Sequence, residues 1–301
     1  GIVEKSGGSL SAFYNPGLFT TMQLMFGGLS AVFAVCAIIA LWRKDRPKYF
    51  GLGTAQKVGV KDYVDTLAHN RAIQMLVVSA STDKLFMSTM SNSTVMICLF
   101  GIIFGNYAAF SSYSQITSIP IALISILLMN KIARQMGQKA SMMTGTYGGI
   151  IGSIIITLFL VFVNPKGDAS KFAIPAFRII RPDTWGTLFT GWSAVGLIFI
   201  LLVIAWRGVQ ALSSSIVITM TADCADYEVY RTGKYVPGLM GTLFSFVDKL
   251  VSSLAATLVA LFYSMAGFKD ALPDTLTPYS DGIFWATIGC FVLLPIVGWL
   301  C

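Results

Sequence analysis

Charge is scarce in this 301-residue chain: Asp, Glu, Lys and Arg make up 12% of it, where about 25% is usual for a soluble domain. A single histidine, His69, rules out a His-rich metal site and speaks against histidine-based catalysis. The five cysteines show no CxxC spacing. Cys36, Cys98, Cys290 and Cys301 fall in apolar stretches and Cys224 beside an acidic segment, which argues against a disulfide framework. No Gly-rich loop followed by Lys-Ser/Thr is present, so a phosphate-cradling loop is absent. No basic-aromatic patch points to nucleic acid. Nothing resembles a cleavable signal peptide, because the first apolar run begins near Phe19 after a polar, Gly-rich stretch.

What fills the chain instead is hydrocarbon. Hydrophobic residues reach 55%, with a mean hydropathy of +0.73. A membrane-crossing helix needs ~20 apolar residues, and the pattern predicts seven: about 19–42, 72–103, 107–130, 141–163, 187–220, 238–264 and 282–301. Nothing alternates like a barrel strand, so the fold class is an all-α polytopic membrane protein. Segment 43–71 carries seven basic residues, segment 131–139 three and segment 221–236 two. The opposite side has Lys5, Lys166, Lys171, Arg178, Arg181 and Lys269. The excess places 43–71 in the cytoplasm and the N-terminus outside, and the net charge of +7 suits anionic lipid. Val60, Tyr63, Val64 and Leu67 recur at i, i+3, i+4 and i+7, predicting a short amphipathic helix on the membrane surface. Gly145, Gly148, Gly149 and Gly152 contain two GxxxG spacings that allow close helix approach. Pro120 is expected to bend the third span.

Ionised groups at membrane depth cost at least ~2.5–3.5 kcal/mol each on insertion scales, yet Asp83-Lys84 and Asp248-Lys249 both sit inside spans. Counted from Ala72 and Pro237, both aspartates are eleven residues in, ~16 Å by helical rise. Neighbours along a helix do not face each other, so the natural pairs cross between helices: Asp83 with Lys249, or Lys84 with Asp248. Two roles stay open, a static bridge fixing helix register and a switch in substrate or ion coupling. Arg207 lies in the fifth span, flanked by Gln210, Ser213, Ser214 and Ser215. Either that span ends at Trp206 and Arg207 snorkels, or one long helix carries Arg207 inside. Ser79, Ser81, Ser88, Ser91, Asn92, Gln115, Thr242, Ser245 and Ser252 could meet a hydroxylated ligand, or act as ordinary helix–helix glue.

The most specific signature is Thr221-Ala222-Asp223-Cys224-Ala225-Asp226-Tyr227-Glu228-Val229-Tyr230-Arg231-Thr232-Gly233-Lys234, followed by Ser245 and Lys249 at S-x-x-x-K spacing. It resembles the A-D-x-x-D-Y-x-x-Y/W-x-T-G stretch of the glycoside-pentoside-hexuronide:cation symporters, the melibiose permease-like branch of the major facilitator superfamily. The resemblance covers nearly the whole chain, with one span, a basic linker and the Asn70-Arg71 step before six more spans. It implies the sixth to twelfth helices of a twelve-helix transporter, with the first five helices in a part of the protein not included here. Residues 1–42 would then be an extracellular segment and the last helix of the N-terminal bundle. Residues 43–71 would be the cytoplasmic linker, and 72–301 the C-terminal bundle, truncated in its last helix.

The family implies alternating access by a monomer in a bacterial inner membrane. It further implies uptake of a sugar or glycoside, driven by a coupling cation (Na+, Li+ or H+) without any cofactor. Lys249 matches a lysine near the family's cation and sugar sites; Asp248, Asp83, Lys84 and Arg207 join it as coupling candidates. Asp223, Asp226, Tyr227, Glu228 and Arg231 match cytoplasmic contacts between bundles. Metal ligands are unknown, since the family's main cation carboxylates belong to the N-terminal half. Two departures are Glu228-Val229, where many relatives have Gly then Glu, and Asn70-Arg71-Ala72 in place of Asn-Arg-Pro. Rival functions are a lipid or drug carrier on the same scaffold and, in a different class, a membrane-embedded enzyme using Asp223, Asp226 and Glu228.

Overall fold

The computed structural model describes residues 16–42, 59–168, 171–172, 174, 191–233 and 237–301. The basic linker before residue 59, Lys5, Arg178, Arg181 and Lys234 lie outside the described residues. Contacts divide the chain into two units, residues 1–57 and 58–301. In the first, α1 (Pro16–Trp42) is apolar on every face, and none of its described side chains is buried. A helix of this length without a polar face is a bilayer span.

The second unit begins with α2 (Val60–His69), whose Asp62 carboxylate accepts the Gly59 N–H at 2.8 Å. The predicted amphipathic helix is present, but its apolar face is not given over to lipid alone. Tyr63 and Leu67 pack against a core of Ile73, Leu76, Val77, Met240 and Leu243, while Val64 is exposed. Asn70 then caps α3 (Arg71–Met90), its Oδ1 accepting the Ile73 N–H at 3.1 Å. At Ser91–Asn92 the chain turns by 48° into α4 (Ser93–Met96) and a π-helical stretch, Ile97–Ile103. The second expected span is therefore a broken one.

α5 (Tyr107–Met136) continues unbroken through Pro120, and α6 (Gln138–Val163) follows after Gly137. α7 (Ala194–Thr232) is 39 residues long, ~58 Å by helical rise against a hydrocarbon core of ~30 Å. It starts at Ala194 rather than near 187, with Ser193 Oγ accepting the Gly196 N–H at 3.0 Å. It also outruns the expected end at 220, closing at Gly233, whose left-handed φ of 71° suits glycine. The second half of α7 is thus a helix projecting past the membrane, and it carries the acidic signature. α8 (Pro237–Ser252) and α9 (Ala255–Met265) form one interrupted span. α10 (Asp281–Ile288), a π stretch Gly289–Leu293 and α11 (Leu294–Leu300) form the last. Among the described residues, six elements are long and apolar enough to cross a membrane, or seven when the bent α3–α4 pair counts as one.

The GxxxG reading is correct in detail. α6 lies against α7 so closely that a Cβ on Gly145 would stand 2.6 Å from the Ser213 backbone N, and one on Gly148 would overlap Val209. The close approach lets the Trp206 indole donate to the Gly149 carbonyl at 3.0 Å. Below this seam lies the main core, where Phe104 stacks on Phe110 and meets Phe172 and Phe199. Gly145→Val should separate the helices and lower stability by roughly 1–3 kcal/mol, the usual scale for overpacking. Thermal unfolding in detergent checks it, with Gly241→Ala, where added volume meets nothing, as the control.

Candidate functional site

Between α5, α7 and the bend after α3 lies a cavity of about 400 Å³, within the range of small-molecule sites. Its polar wall comes from one face of α5 (Ser111, Ser114, Gln115 and Ser118, at i, i+3, i+4, i+7) and from Arg207 and Gln210 of α7. Arg207 lies inside a continuous helix and is half-buried; its Nη1 donates to Ser114 Oγ at 2.8 Å. No carboxylate among the described residues is within ion-pair distance of it. Gln210 is 1% exposed, and its Oε1 has no hydrogen-bond partner. The other wall is apolar, from Met87, Met90, Met96, Phe100 and Tyr107.

A second cavity, about 340 Å³, opens between α3, α6, α7 and α11. Asp83 lines it with Ser79, Thr146, Tyr147 and Ser213. The buried Trp299 indole belongs to the same wall. Asp83 is half-buried while Lys84, one residue on, is exposed, as the 100° step of a helix requires. α8 packs on α3 through Met240 and Leu243, leaving Asp248 half-buried and Lys249 exposed. Neither expected cross-helix pair is closed: the ion pairs among the described residues are His69–Asp65 and Arg231–Glu228. The pairing hypothesis assumed that depth decides partnership. Rotation about each helix axis decides it, and here it turns both lysines outward.

The neutral polar groups divide. Ser125 Oγ donates to the Gly208 carbonyl at 2.8 Å and so joins two helices, while Thr242 and Ser252 bond only within their own helix. Asn92 caps α4. Ser79, Ser91 and Gln115 face the two cavities.

At the far end of α7 the helical period splits the acidic signature in two. Cys224 and Ala225 pack inward, and Glu228 is buried between Arg231 and Asn70. Arg231 Nη2 donates to Glu228 Oε1 at 2.7 Å, and Asn70 Nδ2 donates to Oε2 at 2.7 Å. Glu228 and Arg231 are therefore engaged with each other and with Asn70 within the second unit. Burial pushes the Glu228 carboxyl up, but the hydrogen bonds from Arg231 and Asn70 outweigh it and hold it below the ordinary glutamate range. Asp223, Asp226, Tyr227 and Tyr230 form the opposite, exposed stripe at i, i+3, i+4 and i+7.

Long apolar helices that enclose polar, charge-bearing cavities are the architecture of a carrier. Residues 9–301 match the family model described as MFS/sugar transport protein. The chain belongs to that family. No curated protein and no solved structure matches it significantly. Membership makes it an integral membrane protein and a secondary transporter of sugars rather than an enzyme. Among the described residues of this transporter, no group of three or more His, Cys, Asp or Glu could hold a metal ion. Asp223, Asp226 and Glu228 do not share one face, since the helix sends Glu228 inward and the aspartates outward.

Sequence reasoning missed three parts of the transporter's sites. The α5 stripe Ser111–Ser114–Gln115–Ser118 was readable as a polar line at helical spacing in an apolar span. Asn70 as the partner of Glu228, 158 residues away, and Trp299 beside Asp83 left no local signal.

Proposed function

We propose that this transporter is a cation-coupled symporter of the melibiose permease-like branch, importing a sugar or glycoside across a bacterial inner membrane as a monomer. α1 is the last helix of one bundle, α2 belongs to the cytoplasmic linker, and α3 to α11 form the other bundle. The carrying observation is the cavity lined by Arg207, Gln210 and the α5 serines, whose donors and acceptors match a hydroxyl-rich ligand. Asp83 supplies a carboxylate to the other cavity, and Lys84, Asp248 and Lys249 are the further coupling candidates. A cation (Na+, Li+ or H+) near these groups offsets the carboxylates and favours the substrate-competent state. Coupling then amounts to the difference in cation affinity between the two states. The exposed stripe Asp223–Asp226–Tyr227–Tyr230 is the cytoplasmic contact offered to the other bundle.

The test is uptake of labelled glycosides into cells expressing the full protein, with and without a sodium gradient. Gradient-dependent uptake should fall at least tenfold in Lys249→Ala while the protein still reaches the membrane. Uptake indifferent to every cation gradient, or unchanged in the variant, would reject the coupling scheme.

A further inference from the structure

The cavity between α5 and α7 carries a cation and, in its described lining, no Asp or Glu. Arg207 belongs to a candidate span, where an ionised group persists when a partner or a bound ion balances it. The ion pairs among the described residues, His69–Asp65 and Arg231–Glu228, involve other groups. A guanidinium has five N–H donors, and this one gives a single hydrogen bond, to Ser114 Oγ. Ser114 accepts in that bond, which leaves its own hydroxyl proton for another acceptor. Gln210, three residues along the same face of α7, reaches only the Met90 sulfur with its Nε2, at 4.0 Å. N–H and O–H donors of Arg207, Ser114 and Gln210 thus line one cavity that lacks an anion to receive them.

A neutral sugar does not supply that charge. Its hydroxyls can meet Gln210 Oε1, which is buried and otherwise unmatched, but the guanidinium stays unbalanced. Closure around the sugar then removes the water that screens Arg207, and burying a lone ion costs far more than burying a matched pair. We propose that a monovalent inorganic anion of the chloride type occupies the Arg207 end of this cavity and binds cooperatively with a neutral sugar. The link to sugar rests on the sugar-transport reading; the anion site does not. One negative charge matches the one cation in the lining, whereas a divalent anion leaves an excess charge at membrane depth. A spherical ion accepts from any direction, which suits a mixed set of guanidinium, hydroxyl and amide donors. At about 400 Å³ the cavity has room for it beside a sugar ring. Linkage makes the effect mutual: an anion that tightens sugar binding is itself held more tightly once sugar is bound.

The experiment exchanges sodium isethionate for sodium chloride, at constant sodium and ionic strength, around the full protein in detergent and follows thermal unfolding. A saturable rise in Tm is expected with chloride and with bromide, and none with sulfate. Arg207→Gln should abolish the rise, Arg207→Lys should keep part of it, and Ser114→Ala should raise the chloride midpoint several-fold. In vesicles carrying the full protein, replacing chloride by isethionate on both faces should raise the KM of a transported neutral glycoside at least tenfold. The same exchange should leave that KM unchanged in Arg207→Gln. A Tm indifferent to chloride in the native protein, or a rise that persists in Arg207→Gln, would overturn the anion site. A saturable rise in Tm without any chloride effect on KM would overturn the cooperation with sugar. If no glycoside enters the vesicles, the sugar-transport reading falls, and the chloride titration still decides the site.

Discussion

Replacing Asn70 with leucine is expected to destabilise the protein by about 2–4 kcal/mol, the loss of a helix cap plus that of a buried donor to a carboxylate. Asn70 is fully buried and does two jobs at once. Its Oδ1 caps α3 through the Ile73 N–H, and its Nδ2 fastens Glu228 of α7. One residue thus ties the start of α3 to the end of α7. Asp226→Asn, on the exposed face of the same α7 turn, should shift stability by no more than ~0.5 kcal/mol. Thermal unfolding in detergent separates the two, and equal effects would dismiss the tie. The same site predicts an acid response. A carboxyl depressed in the folded state contributes stability above its unfolded pKa and loses it as pH falls through the folded one. Glu228→Gln should therefore flatten the decline in stability on the acid side of the ordinary glutamate range.

The second large effect concerns transport. Asp83→Asn is expected to cut gradient-driven accumulation at least tenfold, equivalent to about 1.4 kcal/mol of lost coupling, while exchange of sugar across the membrane continues. Asp83 lines a cavity whose described lining contains no cationic side chain. A neutral amide keeps the shape of that wall and removes the reason for a cation to bind there. Accumulation and exchange measured on the same vesicles check it. Loss of both in parallel would assign Asp83 to substrate binding or folding, and loss of neither would remove it from the mechanism.

The spans were readable because length and apolarity alone decide what can cross a bilayer. α2 was readable too, since Tyr63, Val64 and Leu67 declare a helical face. What covers that face was not, because Tyr63 and Leu67 meet a core assembled from α3, α7 and α8. The intramembrane charges were visible as residues and misleading as pairs. A step of one residue turns a side chain by 100°, so Asp83 enters a cavity while Lys84 faces out. Glu228 shows the same limit from the other side. The acidic signature reads as one motif in the chain, but the helix divides it into a buried anchor and an exposed stripe. The Arg207 site joins α5 and α7, 93 residues apart at the Ser114 contact, and only the fold brings its halves together.

The most direct test of the central claim is accumulation of a labelled glycoside by proteoliposomes containing the full protein, under an imposed sodium or proton gradient. Internal sugar rising above the external concentration, and collapsing when the gradient is dissipated, is the predicted result. Sugar that only equilibrates, or does not enter, would contradict a cation-coupled sugar symporter.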